Sequence, residues 1–258
     1  MRAAVVLVAA LLAGCGHSGG GNTSSSAPVS GADATAAPKA VTLRAGDGLT
    51  VFARRYDAKN PKAMILLFHQ AGSSKDEYAT IAPRLAKAGY ASLAVDARAG
   101  GSLYGVNETA AAMARKADYL EARPDLQAAL EWAERQKLPV ILWGSSYSSS
   151  LVFPLAANNP GKVRAILSFS PGEYFDDKQM VEDAAARVTV PVFVTSASKA
   201  DEIAAAGAIA HAVPDGRAQQ YIPKVGVHGS STLIAAKDPQ GAETNWQPVM
   251  AFLAKVAP

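Results

Sequence analysis

Residues 63–68 (AMILLF) are apolar without a break and end at His69. Continuous rather than alternating hydrophobicity predicts a strand covered on both faces. Ahead of it, 41–44 and 49–56 flank Ala45-Gly46-Asp47-Gly48, which predicts a hairpin turning on an Asp-Gly step. Further strands are predicted over 91–95, 139–143, 163–168, 191–195 and 218–222. Between them lie helical patterns: 74–88, stopped by Gly89, and 124–136, opened by Pro124 with Leu126, Leu130 and Ala133 on one face. Three more follow over 146–157, 203–212 and 244–256. Two antiparallel strands followed by strand–helix alternation predict an α/β sandwich with a mostly parallel sheet flanked by helices. Residues 171–189 are the one long break in that alternation, so a cap over the sheet is small or absent.

The first forty residues do not follow this pattern. Ala3–Ala13 is an apolar run of 11 residues behind Met1-Arg2, against the roughly 20 a membrane-spanning helix needs. It has the length of a signal-peptide core. The run closes on Leu12-Ala13-Gly14-Cys15, and Cys15 is the only cysteine in the 258 residues. This resembles the lipobox of bacterial lipoproteins, where cleavage before the cysteine leaves it as the lipidated N-terminus. The resemblance implies a signal peptide over 1–14 and a protein exported and lipid-anchored to the bacterial envelope, facing periplasm or exterior. Gly16 stands where an aspartate favours inner-membrane retention, which tilts the expectation toward the outer membrane. Residues 15–40 are rich in glycine, serine, alanine and proline and cannot bury enough apolar surface to order themselves, so a flexible tether is expected. The remaining residues, 41–258, fit one domain. That domain has no cysteine, so its stability must come from a buried core. A net charge of +3, with no basic cluster interleaved with aromatics, gives nucleic-acid binding no support. No histidine pair has metal-ligand spacing, and neither a metal nor a cofactor is expected.

The candidate chemistry sits where the strand at 140–143 runs into Gly144-Ser145-Ser146-Tyr147-Ser148 and a helix starts at once. A nucleophile on a sharp strand-to-helix turn needs small residues two positions to either side, because strand and helix nearly collide there. That selects Ser146, flanked by Gly144 and Ser148. Ser145 would be flanked by Trp143 and Tyr147, and Ser148 falls inside the helix. The usual Gly-x-Ser-x-Gly pattern is altered at its last position. A serine needs a base, and His228 lies in Gly226-Val227-His228-Gly229, a loop after the last strand. The loop after 191–195 carries Asp201 and Glu202, either of which can orient an imidazole. All three loops follow strand C-terminal ends, the edge where sites form in such sheets. His17 falls in the tether and His211 near a helix end.

LLFHQAG (66–72), LAVDARAGG (93–101), WGSSYS (143–148), FSPGEYF (169–175), VFVTSASKADE (192–202) and GVHGSSTL (226–233) together resemble the α/β-hydrolase superfamily over residues 41–258, in a flavour similar to dienelactone hydrolases and serine aminopeptidases. The resemblance implies Ser146 as nucleophile and His228 as general base. It implies Asp201 as the acid, with Glu202 as the alternative and Asp176 or Asp177 as distant ones. It implies an oxyanion hole of the Tyr147 N–H and one from Gln70-Ala71, with His69 structural and Asp96 and Arg98 a local brace. Tyr174 and Tyr104 are candidates for the pocket wall. The expected activity is hydrolysis of a small-molecule carboxylic ester, ahead of an amide, through an acyl-enzyme. Acyl transfer, or a catalytically silent binding lipoprotein on the same fold, are the alternatives.

Overall fold

The computed structural model describes residues 37–258; the expected signal peptide, Cys15 and nearly all of the tether lie outside the described residues. Eight strands form one sheet: β1 (Lys39–Arg44), β2 (Thr50–Tyr56), β3 (Ala63–Phe68), β4 (Tyr90–Val95), β5 (Val140–Ser145), β6 (Ala165–Phe169), β7 (Val192–Thr195) and β8 (Ala218–Tyr221). Their order across the sheet is β1-β2-β4-β3-β5-β6-β7-β8, antiparallel at β1–β2 and β2–β4 and parallel elsewhere. The predicted hairpin is β1–β2, with Gly48 at φ +88° in its turn, a backbone region glycine enters without steric cost.

The described residues hold seven α-helices, α1 (Ile81–Lys87), α2 (Glu108–Ala111), α3 (Arg123–Glu134), α4 (Tyr147–Ala157), α5 (Met180–Ala185), α6 (Ala200–Ala212) and α7 (Ala242–Val256), and all but the one-turn α2 pack on the two faces. One core joins α3, α4, α5 and α6 to Met64, Leu66 and Phe68 of β3. The other joins α1 and α7 to Ala63, Ile65 and Leu67. Successive side chains of β3 therefore enter opposite cores, and all six of its residues are buried. This two-sided burial is what the unbroken apolar run encodes.

Three predicted elements are redrawn. The helix expected over 74–88 divides into a one-turn 3-10 helix, Lys75–Tyr78, and α1. Pro83 has no N–H to offer the carbonyl of Ala79, so it fits only within the first turn of a helix that restarts at Ile81. The break at 171–189 holds α5, whose first turn is capped by the Glu173 carboxylate accepting from the Val181 and Glu182 N–H groups at 2.9 Å each. The helix expected from 203 begins at Ala200, and that shift of three residues decides the geometry of the acid loop.

Candidate active site

Ser146 links β5 to α4 with φ +59° and ψ −127°, a conformation costly for any residue with a Cβ. The surroundings hold it there. Its N–H donates to the Phe169 carbonyl at 2.8 Å. A Cβ on Gly144 would stand 2.4 Å from the Ser149 Cα, so nothing larger than glycine fits at that position. Ser148, the departure from the usual glycine, is fully buried and put to use: its hydroxyl accepts from the Ser145 N–H at 2.9 Å and donates to the Phe68 carbonyl at 2.7 Å, fastening the turn to the end of β3. Ser149 donates back to the Ser146 carbonyl, and Ser150 donates to the Gly172 carbonyl at 2.7 Å.

The His228 Nε2 lies 2.8 Å from the Ser146 Oγ, and its Nδ1 lies 2.9 Å from the Glu202 Oε2. With Nδ1–H donating to the carboxylate, the Nε2 lone pair is left to accept from the serine hydroxyl. Glu202, and not the preferred Asp201, meets the histidine. Because α6 starts at Ala200, both acids fall in its first turn, about 100° apart around the axis. Glu202 at the third helical position reaches back, as a glutamate at such a position does in a capping box, and also accepts from the Ala197 N–H at 3.2 Å. Asp201 is turned to solvent. Burial opposes ionisation of Glu202, but the hydrogen bonds from His228 and the Ser170 hydroxyl, the charge of His228 and the Ala197 N–H outweigh it, and its carboxyl lies below the ordinary range. Asp176 and Asp177 lie on the exposed stretch before α5.

Tyr147 is the first residue of α4, so its N–H has no acceptor within the helix and lies next to Ser146. Of the other two expected donors, Gln70 is otherwise engaged: its N–H donates at 2.9 Å to the Oε2 of Glu77, a buried carboxylate. The Ala71 N–H is the remaining donor of that pair. The Gln70 side-chain amide donates to the Ser231 Oγ at 3.2 Å, and the Tyr104 hydroxyl meets the same oxygen. Tyr104 thus braces the loop behind His228 instead of forming the pocket wall, and it packs against the α1/α7 core. Tyr174 stands beside the turn that carries Ser170: its hydroxyl donates to the Ser170 carbonyl at 2.7 Å. Burial pushes its pKa up to about 12, outweighing the lowering influence of Ser146.

His69 is fully buried, with Nδ1 donating to the Gln70 carbonyl at 2.8 Å and Nε2 accepting from the Ala97 N–H at 3.0 Å. It braces the loop, as expected. Arg98 pairs with Asp125 at 2.7 Å and with Asp47, and Asp96 pairs with Lys75 at 2.6 Å, so both serve as local braces. A cleft of ≈ 670 Å³ opens against Ala71 and Gly72, walled by the 98–102 loop, Val106, Met113 and Tyr119, whose ring stacks on Tyr147 at 4.7 Å. The exposed Leu103, Val106, Ile222 and Val225 and the half-exposed Tyr174 sit on loops that follow strand C-terminal ends, and Tyr119 and Leu120 open the 3-10 turn Tyr119–Ala122 ahead of α3. Glu77 and Ser170 were not identifiable from sequence, since neither belongs to a spacing rule.

The profile of the family described as "Serine aminopeptidase, S33" matches residues 59–201. Among solved structures, the chain is similar to a dienelactone hydrolase from Anabaena variabilis (18% identity, TM-score 0.68, 86% of this chain and 99% of that one). It is similar to an esterase from Pyrococcus furiosus (18% identity, TM-score 0.65, 86% and 93%). A thermostable carboxyl esterase from Bacillus coagulans superposes with TM-score 0.68 at 12% identity, over 87% of this chain and 100% of that one. The chain has the α/β-hydrolase fold. A search of curated proteins finds no match.

Proposed function

Because the chain belongs to the serine aminopeptidase S33 family, we propose that it is a serine hydrolase cleaving carboxylic esters through an acyl-enzyme. The observation that carries this reading is the Ser146–His228–Glu202 line at 2.8 and 2.9 Å, starting from a strained turn. In this mechanism the Ser146 Oγ attacks the ester carbonyl carbon while the His228 Nε2 takes its proton. Glu202 holds the imidazole in the required tautomer and stabilises its cation. The Tyr147 and Ala71 N–H groups, with the N-terminus of α4, receive the negative charge that develops on the carbonyl oxygen. His228 then protonates the leaving alcohol and activates a water that releases the acid. The solved neighbours with esterase names support an ester over an amide, and Val106, Met113 and Tyr119 along the cleft favour substrates carrying an apolar chain.

The test is turnover of p-nitrophenyl esters graded by acyl length, run beside aminoacyl arylamides. Wild type is expected to hydrolyse the esters and Ser146→Ala to lose that activity. Undiminished turnover in the variant overturns the reading. Acyl transfer to an alcohol uses the same steps with a different acceptor and is read from the products when an alcohol is added. The proposal extends to a lipid anchor at Cys15, which Cys15→Ser should abolish, moving the protein from the membrane pellet to the soluble envelope fraction.

A further inference from the structure

Beneath the candidate site, buried and outside the cleft lining, lies a second glutamate that the acyl chemistry does not use. Glu77 is 1% exposed, at the end of the short 3-10 turn after β3. Its Oε2 accepts from the Gln70 N–H at 2.9 Å, and its Oε1 accepts from the Ser145 hydroxyl at 2.6 Å. The Ser145 Oγ in turn accepts from the Ser230 N–H at 2.8 Å. Three loops are thereby joined through one carboxylate: the one carrying Ala71, the one carrying Ser146 and the one carrying His228. The approach is close as well as bonded, because a Cβ on Gly229 would stand 2.5 Å from the Ser145 Oγ.

We propose that Glu77 is a positioning residue that sets the register of the three loops against one another. The inference rests on the esterase reading for its kinetic consequence but not for its geometry. A carboxylate is the side chain this place requires. Two donors, an amide and a hydroxyl, converge on it from opposite loops, and an ionised carboxylate offers an acceptor oxygen to each. By taking the Gln70 N–H, Glu77 also fixes the peptide orientation that leaves the next N–H, that of Ala71, for the substrate oxyanion. By holding the Ser145 proton, it turns the Ser145 lone pair toward Ser230, two residues beyond His228. Glutamine at 77 offers one acceptor and one NH2, so one of the two ends must break. The buried donor left there is costly to leave unmet, and its loop shifts to find water or another partner.

The loss therefore falls on the transition state more than on substrate binding, since Ala71 and Gly72 are the part of the cleft wall on a tied loop, while 98–102 and Met113 lie outside the tie. Holding an oxyanion donor is worth about 10²–10³ in rate, and a displaced donor loses part of that.

The experiment combines steady-state kinetics on a p-nitrophenyl ester with amide hydrogen exchange, using the full chain and the variants Glu77→Gln and Ser145→Ala. The second variant cuts only the arm to the His228 loop and leaves Glu77 on Gln70, so it remains informative if the first folds poorly. Val192→Ala at the start of β7, a core truncation at the end of the sheet opposite the three loops, controls for lost stability. Expected are kcat values about 10-fold or more lower for Glu77→Gln, less for Ser145→Ala, KM changes within about threefold, and unaltered kcat for Val192→Ala. The double variant should lose less than the product of the two single losses, because both cut one network. The Gln70 and Ser230 amides should exchange faster in Glu77→Gln, with unchanged protection in β6 and β7. Wild-type kcat together with unchanged exchange at Gln70 and Ser230 overturns the proposal. If wild type shows no Ser146-dependent turnover, the esterase reading fails, and the exchange of those two amides still decides whether Glu77 holds the loops.

Discussion

Two glutamates stand on opposite sides of the same turn, and their surroundings drive them in opposite directions. Glu202, at the open edge, meets His228 and lies below the ordinary carboxyl range. Glu77, behind the turn, is enclosed, and burial pushes its carboxyl up despite the Ser145 and Gln70 hydrogen bonds. The difference teaches what each place requires. Glu202 faces an imidazole that the proposed mechanism makes cationic, so its charge has a partner. Glu77 faces only dipoles, and its charge is held by hydrogen bonds alone.

The largest effect expected from breaking this comparison lies on the open side. Glu202→Gln should lower kcat by about 10²–10⁴, since the amide favours the wrong imidazole tautomer, while Asp201→Asn, one residue away, should leave kcat unchanged. Steady-state ester hydrolysis reads both, and equal losses in the two variants would return the acid role to the helix terminus as a whole.

Why the sequence could not separate those two residues is a matter of helix register. The composition of 196–202, rich in serine and alanine, fits a loop running to 203 as well as a helix starting at 200. The choice between neighbouring acids turns on about 100° of rotation that only tertiary packing supplies. The sharp turn at Ser146 is readable for the opposite reason. There a steric rule acts on positions two residues either side, and Gly144 leaves it no slack. The strands were equally legible, because burial on both faces leaves an unbroken apolar run such as 63–68. Glu77 was not, because its function comes from loops separated by 68 positions at Ser145 and 7 at Gln70. No local pattern marks a charged residue that will be enclosed by distant segments.

A smaller effect concerns Ser148, whose hydroxyl fastens the turn to Phe68. Ser148→Gly restores the usual motif but removes that tie, and should lower stability by about 1–2 kcal/mol with little change in KM. Chemical denaturation measures it, and a more stable glycine variant would show that the hydroxyl contributes nothing.

The smallest effect, and the one that separates the two glutamates by sign, is the pH dependence of stability. The folded pKa of Glu202 lies below the ordinary 4.5. The stability it contributes is thus present above that value and lost as pH falls through the folded pKa. The folded pKa of Glu77 lies above 4.5, so its contribution turns unfavourable as pH rises from 4.5 through the folded value. Denaturation midpoints measured from about pH 4 to pH 8 should show Glu202→Gln approaching wild type toward acid. Glu77→Gln should gain on wild type toward neutral pH. Parallel curves for both variants would erase the distinction.

The acyl chemistry itself is tested most directly by trapping. A slowly deacylating ester is mixed with the protein, the reaction is quenched in acid, and the peptide spanning Ser145–Ser150 is fragmented in the mass spectrometer. The acyl mass is expected on Ser146 alone, formed more slowly in Glu202→Gln and at the wild-type rate in Asp201→Asn. An acyl group on another serine of that turn, or none at all while the ester is consumed, would contradict the assignment of Ser146, His228 and Glu202 as one catalytic unit.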